Sequence, residues 1–325
     1  MVPLIRPEIP GYVLMPTMAQ QMGVMSIGTF HKRWGDQILL TNNGSLSGAW
    51  MRVFGEARKQ QWGSRVAGLN YELAPKFDGH LWGVQFGLDL MAGENSWGQH
   101  RLGLFYSHAE ASGTVFGNTL AINTNRSGRL SLQGDSIGGY LTQVGHGGWY
   151  VDAVAMYTWL DGKASSYGGV GAGTSGNSVT VSLESGLPFA ISGSWTLEPQ
   201  AQLIWQHIDF DDTQDPYSSI DYRALNALTG RLGLRLEGNM TINGMPLQSF
   251  VSADLWHDFA QNSNVVFNDR NVATAIGGTA LELRSGLSVK LTSNVSAYGS
   301  VGYTTNLDEE KRKSFSGNLG VRVKW

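Results

Sequence analysis

The chain has 325 residues, with 43 Gly, 9 Pro, 11 Trp, 11 Tyr, 12 Phe, no Cys and a formal net charge of -3. The lack of Cys excludes a disulfide scaffold and a thiolate metal centre, and the slightly acidic balance gives no basic footprint for nucleic acid. No run of about 18 apolar residues occurs, which excludes a membrane-spanning helix.

Met1 to Arg6 lacks the cationic region and small-residue cleavage site of a secretion signal. The chain is therefore expected to be a fragment of a longer precursor. Residues 1–48 read as a linker and a helix over about 12–36, with Pro16 near its start and Gly35 near its end. Met15, Met18, Met22, Met25 and Thr29 form a stripe at spacings of three and four. Such a stripe usually packs on a soluble core, and Gly23, Ser26, Gly28 and Thr29 weaken the helix. No second soluble domain is in sight, so the lumen of a barrel is the berth we expect for it. The helix diameter of about 10–12 Å suits the room inside a barrel of intermediate size.

From residue 49 the pattern has a period of two. Alternating segments fall near 49–59, 79–91, 100–112, 133–144, 148–161, 176–189, 195–210, 223–238, 247–260, 277–291, 295–305 and 314–325. Side chains on a strand alternate between faces. Trp82, Val84, Phe86, Leu88 and Leu90 thus share one face, against Gln85 and Asp89. Glu282, Arg284 and Lys290 likewise oppose Leu281, Leu283, Leu287, Val289 and Leu291. A charge facing lipid at mid-membrane costs about 2–4 kcal/mol, so this register sends the charges inward and the apolar face to the bilayer. A mean hydropathy of -0.16 is what such alternation averages to. The fold class we expect is all-β: a 12-stranded antiparallel transmembrane barrel over 49–325, with the N-terminal helix in its pore.

Connections near 60–78, 113–132, 162–175, 211–222 and 261–276 are long and polar, while those near 145–147, 190–194 and 292–294 are short. Long external loops and short periplasmic turns are the usual asymmetry. The first connection is long, so strand one starts in the periplasm and the helix N-terminus lies outside. The last strand ends on a bare aromatic, with Phe315, Leu319, Val321, Val323 and Trp325 on one face.

The chain resembles the β-domain of type V autotransporters. The resemblance is carried by Arg6 to Tyr12 (RPEIPGY), Ala49 to Gly55 (AWMRVFG), Gly83 to Asp89 (GVQFGLD), Gly147 to Asp152 (GGWYVD), Leu197 to Leu203 (LEPQAQL) and the terminal Trp325. It covers essentially the whole chain. It implies the outer membrane of a Gram-negative bacterium and secretion of the protein's own N-terminal passenger. It also implies insertion by the barrel-assembly machinery with periplasmic chaperones, reading the C-terminal strand. Outer-membrane lipid and the passenger are then the partners of a monomer.

Arg52, Glu56, Asp89, Arg101, Asp152, Glu184, Glu198, Arg231, Arg235, Glu237, Asp254, Glu282, Arg284, Lys290, Arg322 and Lys324 are expected to line the pore and clamp the helix. A sharper role, self-cleavage of the passenger, falls on Glu56 and Asp89, because some members of the family use barrel-wall acidic residues. The Asn42-Asn43 pair follows the helix candidate and reads as a periplasmic turn. Two rivals are an open porin and a surface hydrolase of the omptin type, the latter on Gln206 to Asp212 (QHIDFDD) and Trp256 to Asp258 (WHD). No spacing of ligating residues suggests a metal, and no motif suggests a cofactor.

Overall fold

The computed structural model describes residues 4–35, 48–69, 71–242, 244–259, 262–308 and 311–325. Within them twelve long strands form the wall: β1 (Gly48–Gln61), β2 (Lys76–Asn95), β3 (Gly98–Thr119), β4 (Ile122–Gly145), β5 (Tyr150–Ser166), β6 (Gly171–Gly186), β7 (Trp195–Phe210), β8 (Leu225–Ile242), β9 (Met245–Asp258), β10 (Gly278–Lys290), β11 (Val295–Asn306) and β12 (Lys311–Lys324). Each pairs antiparallel with the next, and β12 pairs with β1 from Lys324 opposite Gly48 to Lys311 opposite Gln61, which closes the ring. The barrel has no free edge, so every ladder is satisfied internally. We call the end where β1 begins and β12 finishes the lower end.

Two segments precede the barrel: α1 (Ile9–Ile27) and α2 (Phe30–Trp34). The single helix expected over 12–36 is thus two helices, broken at Gly28, whose φ is +61°. The weak propensity of the Gly28-Thr29 pair explains the break. The Gly28 N–H caps Val24 O at 3.1 Å, and Thr29 Oγ1 then caps the second helix by accepting from Lys32 N.

Several expected loops are strand. The 113–132 segment continues β3 and β4 into a hairpin that turns at Leu120 and Ala121, both at positive φ. The 162–175 segment is mostly β5 and β6, leaving 167–170 as the turn. The long connections after β1, β7 and β9 supply Ser64–Val66, Thr213–Gln214, Ser219–Tyr222, Asn262–Phe267 and Arg270–Ala275, which form a second, five-stranded sheet at the upper end. Polar composition concealed these strands, because they need an apolar face only where they meet α1.

The alternation changes sign partway up the wall. Low on β2 the outward residues are Trp82, Phe86, Leu88 and Leu90, while Gln85 and Asp89 are buried inside. Higher up, Lys76, Asp78 and His80 face out, and Phe77 and Leu81 are buried inside. The neighbours repeat this. Arg129, Ser131, Gln133 and Asp135 of β4 face out against inward Leu130 and Leu132, and Asp161 and Lys163 of β5 face out against inward Leu160 and Ala164. Outward Trp82, Tyr106, Tyr157, Trp159 and Trp205 mark the boundary, as interfacial aromatic girdles do. Below it the outer surface is apolar and the lumen polar. Above it the outer surface is polar and the lumen wall of β2 to β5 is apolar, while β1 still turns Glu56, Arg58 and Gln60 inward.

Candidate functional site

The site is the filled pore. α1 is buried on all sides, with only Val24 and Met25 less than fully so. It needs no polar face, because wall surrounds it. At about 1.5 Å per residue its 19 residues span about 28 Å, close to the hydrocarbon thickness of a bilayer. Its N-terminal end is the upper one: Arg6 pairs with Asp215 in the β7–β8 connection at 3.1 Å, and Leu120 N donates to Ile5 O.

Apart from the Glu56–Arg58 pair on β1, the upper half of the pore is a hydrophobic core. Tyr12, Met15, Met18 and Met22 pack among Phe77, Leu81, Val115, Leu130, Leu132 and Leu160, and the second sheet adds Ile220, Val265 and Val272. Tyr12 meets Phe267 with ring centroids 6.0 Å apart. Each fully buried side chain of this kind stabilises by about 1.5–3 kcal/mol. The methionine stripe is therefore part of a seal, with Met25 at its margin and Thr29 in α2's cap.

Lower down, the wall satisfies the helix ends. The last carbonyls of an α-helix have no partner within it. Here Arg52 of β1 and Gln85 of β2 both donate to Ser26 O, and Gln202 of β7 donates to Gly28 O at 2.9 Å. At the start of α2, Glu184 accepts the Phe30 N–H at 2.8 Å. Arg33 pairs with Asp152, Lys32 with Glu282, and His31 with Glu198. Tyr298 O–H donates to Arg33 O at 2.7 Å, and Asn318 donates to Lys32 O at 3.1 Å. Trp34 lies under the guanidinium groups of Arg322, at 3.7 Å, and Arg101, at 5.1 Å.

Most of the residues named from sequence are buried inside the barrel. Arg231 bridges Glu184 at 2.9 Å and Asp254 at 2.5 Å, Arg284 holds Asp254 from the other side at 2.8 Å, and Arg235 pairs with Glu237. Arg322 meets Asp89 at 3.0 Å. Glu184, Glu237 and Lys324 are also buried, and Lys290 has the inward parity of β10 near the lower end while remaining partly exposed. Glu56 pairs with Arg58 at 2.7 Å, and Asp89 accepts from Tyr140 at 2.7 Å besides its Arg322 pair. Glu56 sits opposite Leu81 on the neighbouring strand, eight residues from Asp89. At about 3.3 Å per residue that is about 26 Å, so the two carboxylates do not share a site. Asn42-Asn43 lies outside the described residues.

The histidines proposed for a surface hydrolase do not converge on acids. His207 contacts Asn226 and His257 contacts Thr279, each at 2.9 Å and on the outer face. Sequence reasoning put Gln85 on the inward face without a role, and it missed the clamp's other neutral members, Gln202, Tyr298, Asn318 and Tyr150, which donates to Glu184 at 2.8 Å, because uncharged inward residues carry no distinctive signal. It also missed Phe30 to Trp34 as a unit, although a helix-breaking Gly28, a capping Thr29 and three consecutive basic residues were legible there. One cluster no spacing could show is His31 with Glu198 and Glu237, whose ligating atoms lie within 4.8 Å of one another.

A family model described as Autotransporter beta-domain matches residues 49–302. The chain belongs to that family. It is the outer-membrane translocator domain of a Gram-negative autotransporter. It is 27% identical to the adhesin BmaC autotransporter of Brucella suis over 99% of its own length and 10% of that protein's. The transport unit of the autotransporter AIDA-I from Escherichia coli superposes with a TM-score of 0.75 at 20% identity, covering 98% of this chain and 99% of the other. The β-domain of the Bordetella autotransporter BrkA does so with a TM-score of 0.65 at 20% identity, covering 86% and 100%. This translocator domain therefore spans about a tenth of BmaC, while it matches the separate transport unit almost end to end.

Proposed function

We propose that the domain anchors in the outer membrane as a monomer and delivers its own N-terminal passenger to the cell surface, with α1 and α2 as the stretch of chain that stays in the pore. The direction of α1 carries this reading. Its N-terminal end emerges among the upper loops, whereas α2 lies at the end where β1 begins and β12 finishes. Taking that lower end as periplasmic, sequence preceding α1 emerges outside. The inward charges named above then hold the plug, and a porin role is disfavoured by a lumen filled along its length.

The lipid partner meets the apolar band. Phe315, Leu319, Val321, Val323 and Trp325 are 40–69% exposed on its outer face. We assign to that row the role of assembly signal, with the barrel-assembly machinery and periplasmic chaperones as the partners that read it.

A reporter peptide fused ahead of residue 4, behind a secretion signal, tests the direction. Protease added to intact cells should remove it. A folded barrel whose reporter stays protected until cells are lysed would refute the proposal. Removal of residues 1–35 separates the translocator from a porin: planar-bilayer conductance should rise several-fold, whereas a porin's would be unchanged.

A further inference from the structure

The cluster at the base of the plug has the chemistry of a metal site. His31 comes from α2, Glu198 from β7 and Glu237 from β8, so three segments far apart in sequence converge. The side chains of His31 and Glu198 are 9% and 6% exposed, and Glu237 is 3% exposed. Burial of two carboxylates beside an imidazole is costly unless a cation or a full set of hydrogen bonds compensates. Gln200, Gln248 and Arg235 partner the carboxylates, and the group left without compensation is on the imidazole. His31 Nε2 contacts Glu198 Oε1 at 2.7 Å, but its Nδ1 is buried without a hydrogen-bond partner among the described residues.

We propose that His31, Glu198 and Glu237 bind one divalent transition metal of the zinc class, which staples the plug to the barrel wall. One imidazole and two carboxylates make three protein ligands, the number that leaves a fourth position open. A nitrogen ligand favours zinc, cobalt or nickel over magnesium or calcium, which prefer oxygen throughout. Bond lengths of about 2.0–2.2 Å need ligand atoms closer than 4.8 Å, so metal binding would draw the three side chains together.

The surroundings fit. Gln200 donates to Glu198 at 2.6 Å, and Gln248 donates to Glu237 at 2.8 Å, so both carboxylates are already oriented by neighbours, as metal-binding carboxylates are. Arg235 pairs with Glu237. That leaves the cluster one net negative charge with His31 neutral, and a bound dication would make it one net positive. A cavity of about 300 Å³ adjoins it, lined among others by His31, Glu198, Glu237, Glu94 and His146. The strand-end residues Gly98 and Gly145 in that lining, with Pro188 just after β6, place the cavity at the lower rim. It provides room for coordinated water and a way in.

The test uses the untagged full chain in detergent. Titration calorimetry with zinc at pH 7.5 should give one site per chain, and magnesium none. His31→Ala and Glu237→Gln should each weaken binding at least tenfold, while His207→Ala, on the outer face, leaves it unchanged. Heat-modifiable gel mobility reports whether each variant is folded. If His31→Ala fails to fold, cobalt bound to the unaltered chain decides: visible d–d bands of a tetrahedral nitrogen–oxygen site support the proposal, and their absence overturns it. Zinc bound equally well by the two ligand variants, or not bound at all, also overturns it. Since the readout is metal binding by the domain alone, it is independent of whether a passenger is exported.

Discussion

Glu184 on β6 accepts the backbone N–H of Phe30 at 2.8 Å through one oxygen and Arg231 at 2.9 Å through the other. The wall thus grips the plug by its main chain. The N–H it satisfies is one of the donors that every helix start leaves orphaned. Glu184→Ala removes that acceptor and strands the Arg231 charge in the wall, where Asp254 must then hold it alone. Breaking a buried pair on one side costs about 3–5 kcal/mol. We expect the detergent-solubilised domain to unfold at a lower temperature and its bilayer current to show plug openings. Glu184→Gln, which keeps one acceptor, should fall between the two. An unchanged current for Glu184→Ala would mean that the clamp does not depend on this bond.

The sign change in the alternation makes a prediction that a uniformly wet lumen would not. In such a lumen an inward charge is tolerated anywhere. Leu132 is inward but in the dry half, among residues packed around α1. Leu132→Glu should therefore be severely destabilising, by several kcal/mol, because it buries an unpaired carboxylate. Its neighbour Ser131 faces out, so Ser131→Glu should be near neutral. Hydrogen exchange at the α1 amides, compared between the two variants, checks this: protection should fall for the first alone.

The twelve strands were legible because lipid imposes one rule on the band it touches. Trp82 to Leu90, or Leu281 to Leu291, cannot be shifted by a residue without turning Asp89 or Arg284 to the bilayer. Above the band that rule lapses, so the hairpin around Leu120 and the second sheet were concealed in what looked like polar loops. The lower clamp was half legible. Its charges follow strand parity, but which helix atom each one meets depends on the break at Gly28, and the Glu184 contact is to a backbone atom that no side-chain pattern encodes. Convergence of His31, Glu198 and Glu237 follows from closure of the barrel around the plug, which places α2 against β7 and β8 at a separation of some two hundred residues.

At the upper end the plug's entrance is tied by Arg6 to Asp215, whose side chain is fully buried. Burial pushes the Asp215 carboxyl up. The Arg6 hydrogen bond and the N–H groups of Tyr217 and Ser218 outweigh that, and hold it below its ordinary value of 3.8. A group with a depressed folded pKa contributes stability above the unfolded value and loses it as pH falls through the folded one. The tie should therefore be intact at pH 5 and above and weaken below pH 3.8. Limited proteolysis ahead of α1 should become faster over that range. Asp215→Asn should be cleaved readily at pH 7 and show less further change on acidification.

Tyr298 on β11 lies across Gly320 of β12 and reaches Arg33 O of the plug. A Cβ at position 320 would fall 2.1 Å from the Tyr298 ring, too close for the ring to stay. Glycine here is needed for the space it leaves, because the phenol can cross the neighbouring strand only where no side chain stands. Gly320→Ala should displace the ring and break its bond to the plug, at about 1–3 kcal/mol for overpacking. Tyr298→Phe removes only the hydrogen bond and should cost about 0.5–1.5 kcal/mol. Unfolding midpoints in one detergent give the order: unaltered chain highest, then Tyr298→Phe, then Gly320→Ala. The double variant should melt close to Gly320→Ala alone, since the ring has already left its place. A double variant that is lower by the full sum would show that the glycine and the tyrosine act separately.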